Sequence, residues 1–223
     1  MPPRQTLLYR LAYRTVRFLL HLGFGFRVEG VEHIPPGGAL VVANHPSALD
    51  PVVLAAALPR RALFIGAAEF LSMPLAGWAM RAYGTIPVRR GRIDLAVVRE
   101  AVRALEAGVL VAIFPEGRIS PDGGSPKAGA GILAARAGVP TVPAAILGTA
   151  RALPLGRYLP RLSRVRVVFG PPLPPPPAAD RAAAHRLVEE ALGWVRGVVR
   201  GALDSGAPAA TLEGNRRSEH SRQ

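Results

Sequence analysis

Apolar residues along this chain alternate between short unbroken runs and longer stretches in which they recur every three to four positions. Short runs bounded by glycine, proline or charge read as buried strands, and the longer periodic stretches read as amphipathic helices. Strands are predicted at 26–29, 39–43, 62–66, 85–88, 109–114, 141–147 and 165–169, with helices near 51–58, 69–83, 94–107 and 127–137 between them. The 94–107 stretch has the sharpest pattern: Leu95, Val98, Val102 and Leu105 share one face, Asp94 stands as a cap and Gly108 as a stop. This alternation predicts an α/β fold with a largely parallel or mixed central sheet flanked by helices.

Two further helices lie outside the alternation. In residues 4–22, Arg10, Arg14, Arg17 and His21 recur on one stripe, while Leu7, Leu8, Leu11, Phe18, Leu19 and Leu22 cover much of the remainder and Tyr9 and Tyr13 stand near the start. A narrow cationic stripe with broad apolar flanks suits a helix lying in a membrane interface. The plainer reading is a helix packed on the domain with its arginines in water. At the other end, the proline-rich run 171–177 reads as a stiff connector into a helix over 180–203, whose apolar face includes Leu187, Val188, Ala191, Val195 and Val198. The predicted division is a membrane-interacting helix at 1–25, an α/β domain at 26–170, a connector and helix at 171–204, and a disordered tail at 205–223.

Composition sharpens the membrane reading. The 223 residues are 49% hydrophobic with a net charge of +13, a combination that points to a membrane surface or another polyanion. No uninterrupted apolar run reaches bilayer-spanning length; the nearest, 62–80, contains Glu69 and Pro74. Arginines interleaved with the N-terminal apolar residues argue against a cleavable signal peptide. Together these predict a peripheral or monotopic protein on the cytoplasmic face of the cell membrane, with an anionic bilayer as partner. Scarce aromatics argue against a nucleic-acid partner, which would need a stacking platform. The absence of cysteine excludes disulfides and thiolate chemistry, and five scattered histidines suggest no metal cluster.

Candidate chemistry centres on Asn44-His45-Pro46-Ser47-Ala48-Leu49-Asp50-Pro51, directly after the 39–43 strand. On a regular helix His45 and Asp50 would point about 140° apart. Pro51, however, disfavours helical geometry at Asp50 and suits a first helical position, so Asp50 is predicted as the N-cap with Pro51 at N1. His45 then sits in a loop that can curl back, letting Asp50 fix the imidazole tautomer while the other ring nitrogen takes a proton from a hydroxyl. A loop histidine beside an ordinary capping aspartate is the alternative. Two more strands end in polar groups: 85–88 in Arg89-Arg90-Gly91-Arg92, and 109–114 in Pro115-Glu116-Gly117-Arg118. Loops beyond the carboxyl ends of parallel strands converge on one crevice, where arginines suit a phosphate and Gly117 allows close backbone approach. Taken singly, each reads more readily as an ordinary solvated turn than as a site.

In order and spacing, Asn44 to Asp50, Gly84-Thr85-Ile86-Pro87-Val88-Arg89, Phe114-Pro115-Glu116-Gly117 and Thr141-Val142-Pro143-Ala144 resemble the four sequence blocks of the PlsC-like glycerolipid acyltransferases. The resemblance spans about residues 26–170. It implies transfer of a fatty acyl group from acyl-CoA or acyl-carrier protein, as co-substrate and with no resident cofactor or metal, to the free hydroxyl of 1-acylglycerol-3-phosphate, giving phosphatidate. Carried over, His45 is the general base and Asp50 its orienting partner. Arg89, Glu116 and Gly117 bind the acceptor, with Arg118 supplying a further cation, and Val142 and Pro143 shape the pocket. The chain departs from the family pattern at Arg118-Ile119, where Thr-Arg is common, and at Ala67, near the position of a usual lysine. Both departures fall on the acceptor side and keep a second acceptor class open, a lyso-aminolipid or glycolipid. A non-catalytic module binding anionic lipid or nucleic acid would explain the charge but leave His45, Asp50 and Glu116 without a role.

Overall fold

The structure is a computed structural model that describes residues 7–68, 84–88, 95–121, 123–127, 129–157, 159–177 and 180–205. Its strands are β1 (Arg27–Glu29), β2 (Ala39–Ala43), β3 (Ala62–Ala67), β4 (Thr85–Val88), β5 (Leu110–Ile113), β6 (Thr141–Leu147) and β7 (Arg166–Phe169). They form one sheet in the order β1-β7-β6-β2-β5-β3-β4. Every neighbouring pair is parallel except β6 with β7, so the sheet is mixed. All seven strands fall where the apolar runs predicted them, within a residue or so at each end.

Helices cover both faces. On one side lie α1 (Leu7–Phe24) and α2 (Asp50–Ala57), and on the other α3 (Leu95–Glu106), α4 (Gly129–Ala137) and α6 (Arg181–Asp204); α5 (Thr149–Ala152) is a single turn after β6. Because side chains alternate across a strand, β2 feeds both layers. Ala39, Val41 and Ala43 join the cluster beneath α1 and α2, while Leu40 and Val42 join the cluster beneath α3, α4 and α6. All five are fully buried, which is why β2 reads as an unbroken apolar run. Burying each such valine or leucine contributes roughly 1.5–3 kcal/mol.

One predicted detail changes. The buried face of α3 is Val97, Ala101 and Leu105, with Val98 and Val102 half-buried and Leu95 exposed, so the stripe is rotated from the one expected. Its cap, Asp94, and the predicted 69–83 helix lie outside the described residues, as does the tail from 206. The proline-rich connector is pinned to the sheet, where Leu173 exchanges both backbone hydrogen bonds with Thr141 at the start of β6. The expected stop at Gly108 holds, with φ at 81° and Val109 N–H donating to Ala104.

The first helix reverses part of its predicted orientation. Of the expected stripe, Arg17 turns toward the domain and donates to the Ala56 carbonyl at the end of α2, and Tyr13 Oη donates to Ala56 and Leu58. A cation suits a helix C-terminus. Val16, Leu20 and Phe24 pack inward, and Phe18, Leu19 and Leu22 face out. Among the described residues no helix is long and apolar enough to cross a membrane.

The contact of α4 with α6 has a sharp test. Inside a helix, glycine-to-alanine ordinarily stabilises by roughly 0.5–1 kcal/mol. At Gly131, however, a Cβ would lie 1.9 Å from the Ala184 carbonyl oxygen, whereas at Gly197 nothing lies within 4 Å. Gly131→Ala is therefore expected to lower the urea midpoint by an amount equivalent to about 1–3 kcal/mol, while Gly197→Ala raises it slightly. A rise in both would mean the two helices do not meet at Gly131.

Candidate active site

At the end of β2 the chain is clamped before it reaches the histidine. Asn44 Nδ2 donates to the Ile146 carbonyl at 3.0 Å and its Oδ1 accepts the Ile146 N–H at 2.8 Å, tying the ends of β2 and β6 together. The loop then curls back as the spacing predicted. Nδ1 of His45 meets Oδ2 of Asp50 at 2.8 Å, and the same oxygen accepts the Ser47 N–H at 2.7 Å. Asp50 is not the N-cap: Leu49 occupies that position in helical geometry, and α2 begins at Asp50 with Pro51 second. The bias of Pro51 against helical geometry at Asp50 is outweighed by the two hydrogen bonds on the carboxylate, and a proline in the first turn leaves no intrahelical bond unmade. The carboxylate thus serves the loop rather than its own helix.

Burial governs the charge of this pair. Asp50 is wholly buried, and desolvation pushes its pKa up; the His45 hydrogen bond and charge, the Thr149 hydroxyl and the Ser47 N–H pull it back. Thr149, also fully buried, lies near enough to act on Asp50, yet neither its Oγ1 nor Asp50 Oδ1 has a partner in hydrogen-bonding geometry. An ionised Asp50 accepting at Nδ1 requires the proton on Nδ1, which leaves Nε2 as the imidazole's lone-pair nitrogen. Among the described residues Nε2 meets no hydrogen-bond partner. The ring is stacked on Phe114, with centroids 4.2 Å apart and planes 19° from parallel, so its second degree of freedom is also fixed.

The third stretch closes the other side. Phe114 directly follows β5, Gly117 N–H returns to the Phe114 carbonyl at 3.0 Å, and Gly117 adopts φ 67°, a left-handed geometry that favours glycine. Ser120 N–H donates to the His45 carbonyl at 2.7 Å, so this turn holds the histidine loop directly. Glu116 is buried under the turn. Desolvation raises its pKa, and the charge of His45 with the N–H groups of Gly124 and His45 lowers it. Arg118 is exposed. Lys127, the only lysine in the chain, donates its backbone N–H to Pro115 and brings Nζ to 3.2 Å from where a Cβ on Gly117 would be.

The carboxyl ends of β2, β5, β3, β4 and β6 all lie along one sheet edge, because these strands are mutually parallel. His45, Asp50, Glu116, Gly117 and Arg118 are brought together there. Arg89, with Arg90 to Arg92, lies outside the described residues; the last residue described before them, Val88, ends β4, three strands and hence about 14 Å along the edge from β2. Val142 and Pro143 sit within β6 opposite Val41 and Val42, inside the sheet rather than at its edge. Sequence reasoning gave no role to Asn44, Ser47, Phe114, Ser120 or Thr149. Ser47, fully buried, donates Oγ to the Leu153 carbonyl at 2.8 Å and so ties the loop to the segment after α5. The available signal was that Thr149, like His45, is a polar residue just past a strand end on this edge. Among the described residues no group of three His, Asp or Glu is placed to hold a metal ion.

The profile of the Acyltransferase family matches residues 25–147, which contain His45, Asp50 and the turn from Glu116 to Arg118. The chain belongs to that family. A chloroplastic 1-acyl-sn-glycerol-3-phosphate acyltransferase of Arabidopsis thaliana is 34% identical over 157 residues, 67% of this chain and 44% of the relative. The lyso-ornithine lipid O-acyltransferase of Pseudomonas aeruginosa is 37% identical over 102 residues, 45% of this chain and 38% of the relative. The crystal structure of the 1-acyl-sn-glycerophosphate acyltransferase PlsC from Thermotoga maritima superimposes with a TM-score of 0.69 at 28% identity, covering 95% of this chain and 86% of that one. The chain spans about half the length of the plant and algal relatives it matches.

Glu116 gives this arrangement a pH signature. Its folded pKa stands above the ordinary 4.5, so the folded state holds the proton more tightly than the unfolded chain. The resulting stability is fully present below 4.5 and is lost as pH rises through the folded value. Glu116→Gln does not titrate, so the melting temperature of wild type minus that of Glu116→Gln is expected to fall as pH rises from below 4.5 toward neutrality. A difference that stays constant would mean the carboxylate is solvated.

Proposed function

We propose that the protein transfers a fatty acyl group from acyl-CoA or acyl-carrier protein to the free hydroxyl of 1-acylglycerol-3-phosphate, giving phosphatidate. The observation that carries this reading is the His45–Asp50 pair, 2.8 Å apart at the carboxyl end of a central strand, in a chain of the acyltransferase family. Nε2 of His45 takes the hydroxyl proton as the acceptor oxygen attacks the thioester carbonyl carbon. The tetrahedral intermediate collapses by breaking the carbon–sulfur bond, and the leaving thiolate takes the proton from the imidazolium. Asp50 keeps the ring in the tautomer that accepts at Nε2 and stabilises the imidazolium between those steps. No acyl-enzyme is needed, since the acceptor hydroxyl is itself the nucleophile.

On the acceptor side, Arg89 and Arg118 pair with the phosphate, and the Glu116–Gly117 turn brings backbone close to it. Val142 and Pro143 shape the pocket from behind by fixing β6 against β2. The first helix lies on the cytoplasmic face of the cell membrane, making the enzyme peripheral or monotopic; its outward Phe18, Leu19 and Leu22 support this. A second reading has the same chemistry acting on a lyso-aminolipid. The likeness to a lyso-ornithine lipid acyltransferase and the Arg118-Ile119 departure favour it.

An acyl-transfer panel over lysophosphatidate, a lyso-aminolipid and monoacylglycerol tests the reading. Transfer to lysophosphatidate is expected to dominate and to vanish in His45→Ala; preference for the lyso-aminolipid selects the second reading, and no His45-dependent transfer to any acceptor removes both. Asp50→Asn should keep the fold yet lower kcat by about 10³–10⁴-fold, as expected when a tautomer-setting carboxylate is lost. A loss below tenfold would show that the ring orients itself without Asp50.

A further inference from the structure

The segment after α5 is unusual for its apolar exposure. Leu155, Leu159 and Leu162 are 67%, 81% and 84% exposed, and with Phe18, Leu19 and Leu22 of α1 they make up six of the eight large apolar side chains that stand out in water among the described residues. Contiguous exposed apolar surface of this kind marks an interaction site. The two segments adjoin: a Cβ on Gly23 would lie 3.9 Å from Leu162 Cδ2, and Val165 N–H donates to the Phe24 carbonyl at 2.9 Å. The loop is also held at its base. Arg161 N–H donates to the Ala152 carbonyl at 2.7 Å, Arg157 N–H to Pro154 at 3.1 Å, and Leu153 receives the Ser47 hydroxyl. Its leucines are therefore presented outward from a fixed frame rather than left out by a loose chain.

Charge selects the occupant. Arg151, Arg157, Arg161 and Arg164 are exposed among these leucines. No aspartate or glutamate occurs anywhere from residue 123 to 179, or before Glu29. A second copy packed by the same face would bring arginine against arginine with no acid to offset it. An anionic bilayer offers hydrocarbon to the leucines and phosphates to the guanidiniums at the same depth.

We propose that the described residues 153–157 and 159–164 form a second membrane-docking element, inserting Leu155, Leu159 and Leu162 into an anionic bilayer alongside the outer face of α1. The element rests on the reading of the protein as a peripheral membrane enzyme and deepens it. Through Leu153 and Ser47 it joins the inserted loop to the loop that carries His45, so the bilayer surface and the catalytic pair share one frame.

Because the chain has no cysteine, single cysteines can report depth without background. Leu159→Cys, Leu162→Cys, Leu22→Cys and, as an exposed control at the far end of α6, Leu203→Cys would each carry a nitroxide. Depth is read from oxygen against polar-quencher accessibility on phosphatidylcholine vesicles with and without phosphatidylglycerol. Labels at 159, 162 and 22 are expected to pass into the hydrocarbon on anionic vesicles while the label at 203 stays in water. Replacing Arg157 and Arg161 by glutamine should weaken partitioning by about fivefold per arginine. If the label at 22 embeds and those at 159 and 162 stay aqueous, the loop proposal is overturned and the peripheral reading stands. If none embeds, both fall. If the label at 159 becomes buried without vesicles as protein concentration rises, the occupant is a second copy and the proposal is wrong.

Discussion

A fully buried carboxylate must find its hydrogen bonds inside the protein, and at Asp50 they come from the His45 ring and the Ser47 backbone. Neither is available unless the chain between them bends back on itself, so the shape of the loop and the hydrogen bonds that offset the burial of Asp50 require each other. Breaking a buried charge from its partner costs several kcal/mol, roughly 3–5, which is a large share of the stability of a domain. The loop is therefore held by the same interaction that sets the imidazole tautomer.

Around that constraint the sheet separates structure from chemistry. At the amino ends of the strands, Arg60 joins the Pro35, Gly37 and Gly108 carbonyls and so closes the turns that precede β2 and β5. At the carboxyl ends, polar side chains from β2 and the turn after β5 meet over the histidine loop, which Asn44, Ser47 and Ser120 hold from three directions. Three independent tethers on a loop of seven residues leave little freedom in the ring position, as a proton acceptor working on a docked hydroxyl needs.

Much of this was legible from residue pattern. The strands stood out because β2, β5 and β6 are buried on both faces and so read as unbroken apolar runs. The curled loop was expected from the His45–Asp50 pair, though not by the capping route that Pro51 suggested, since Asp50 is the first helical residue rather than the cap. What pattern could not supply was orientation. In α3 the periodicity was right but Leu95 turned outward and Ala101 inward, because one rotation of an amphipathic helix differs from the next by a single residue. In α1 the arginine stripe looked like a solvent or headgroup face, yet Arg17 found the carbonyl at the end of α2, a partner distant in sequence. Phe114 was illegible for the same reason, since its significance is contact with the His45 ring and such contact leaves no local periodicity; Thr149 was marked only by its place past a strand end, not by its partner.

Catalysis turns on one proton. Nitrogen NMR of the His45 ring in the resting protein at neutral pH reads directly which nitrogen carries it. A protonated Nδ1 and a bare, pyridine-like Nε2 are expected, with that preference lost in Asp50→Asn. A protonated Nε2 in the wild-type neutral imidazole would contradict that expectation, since the nitrogen assigned to take the acceptor's proton would already be occupied.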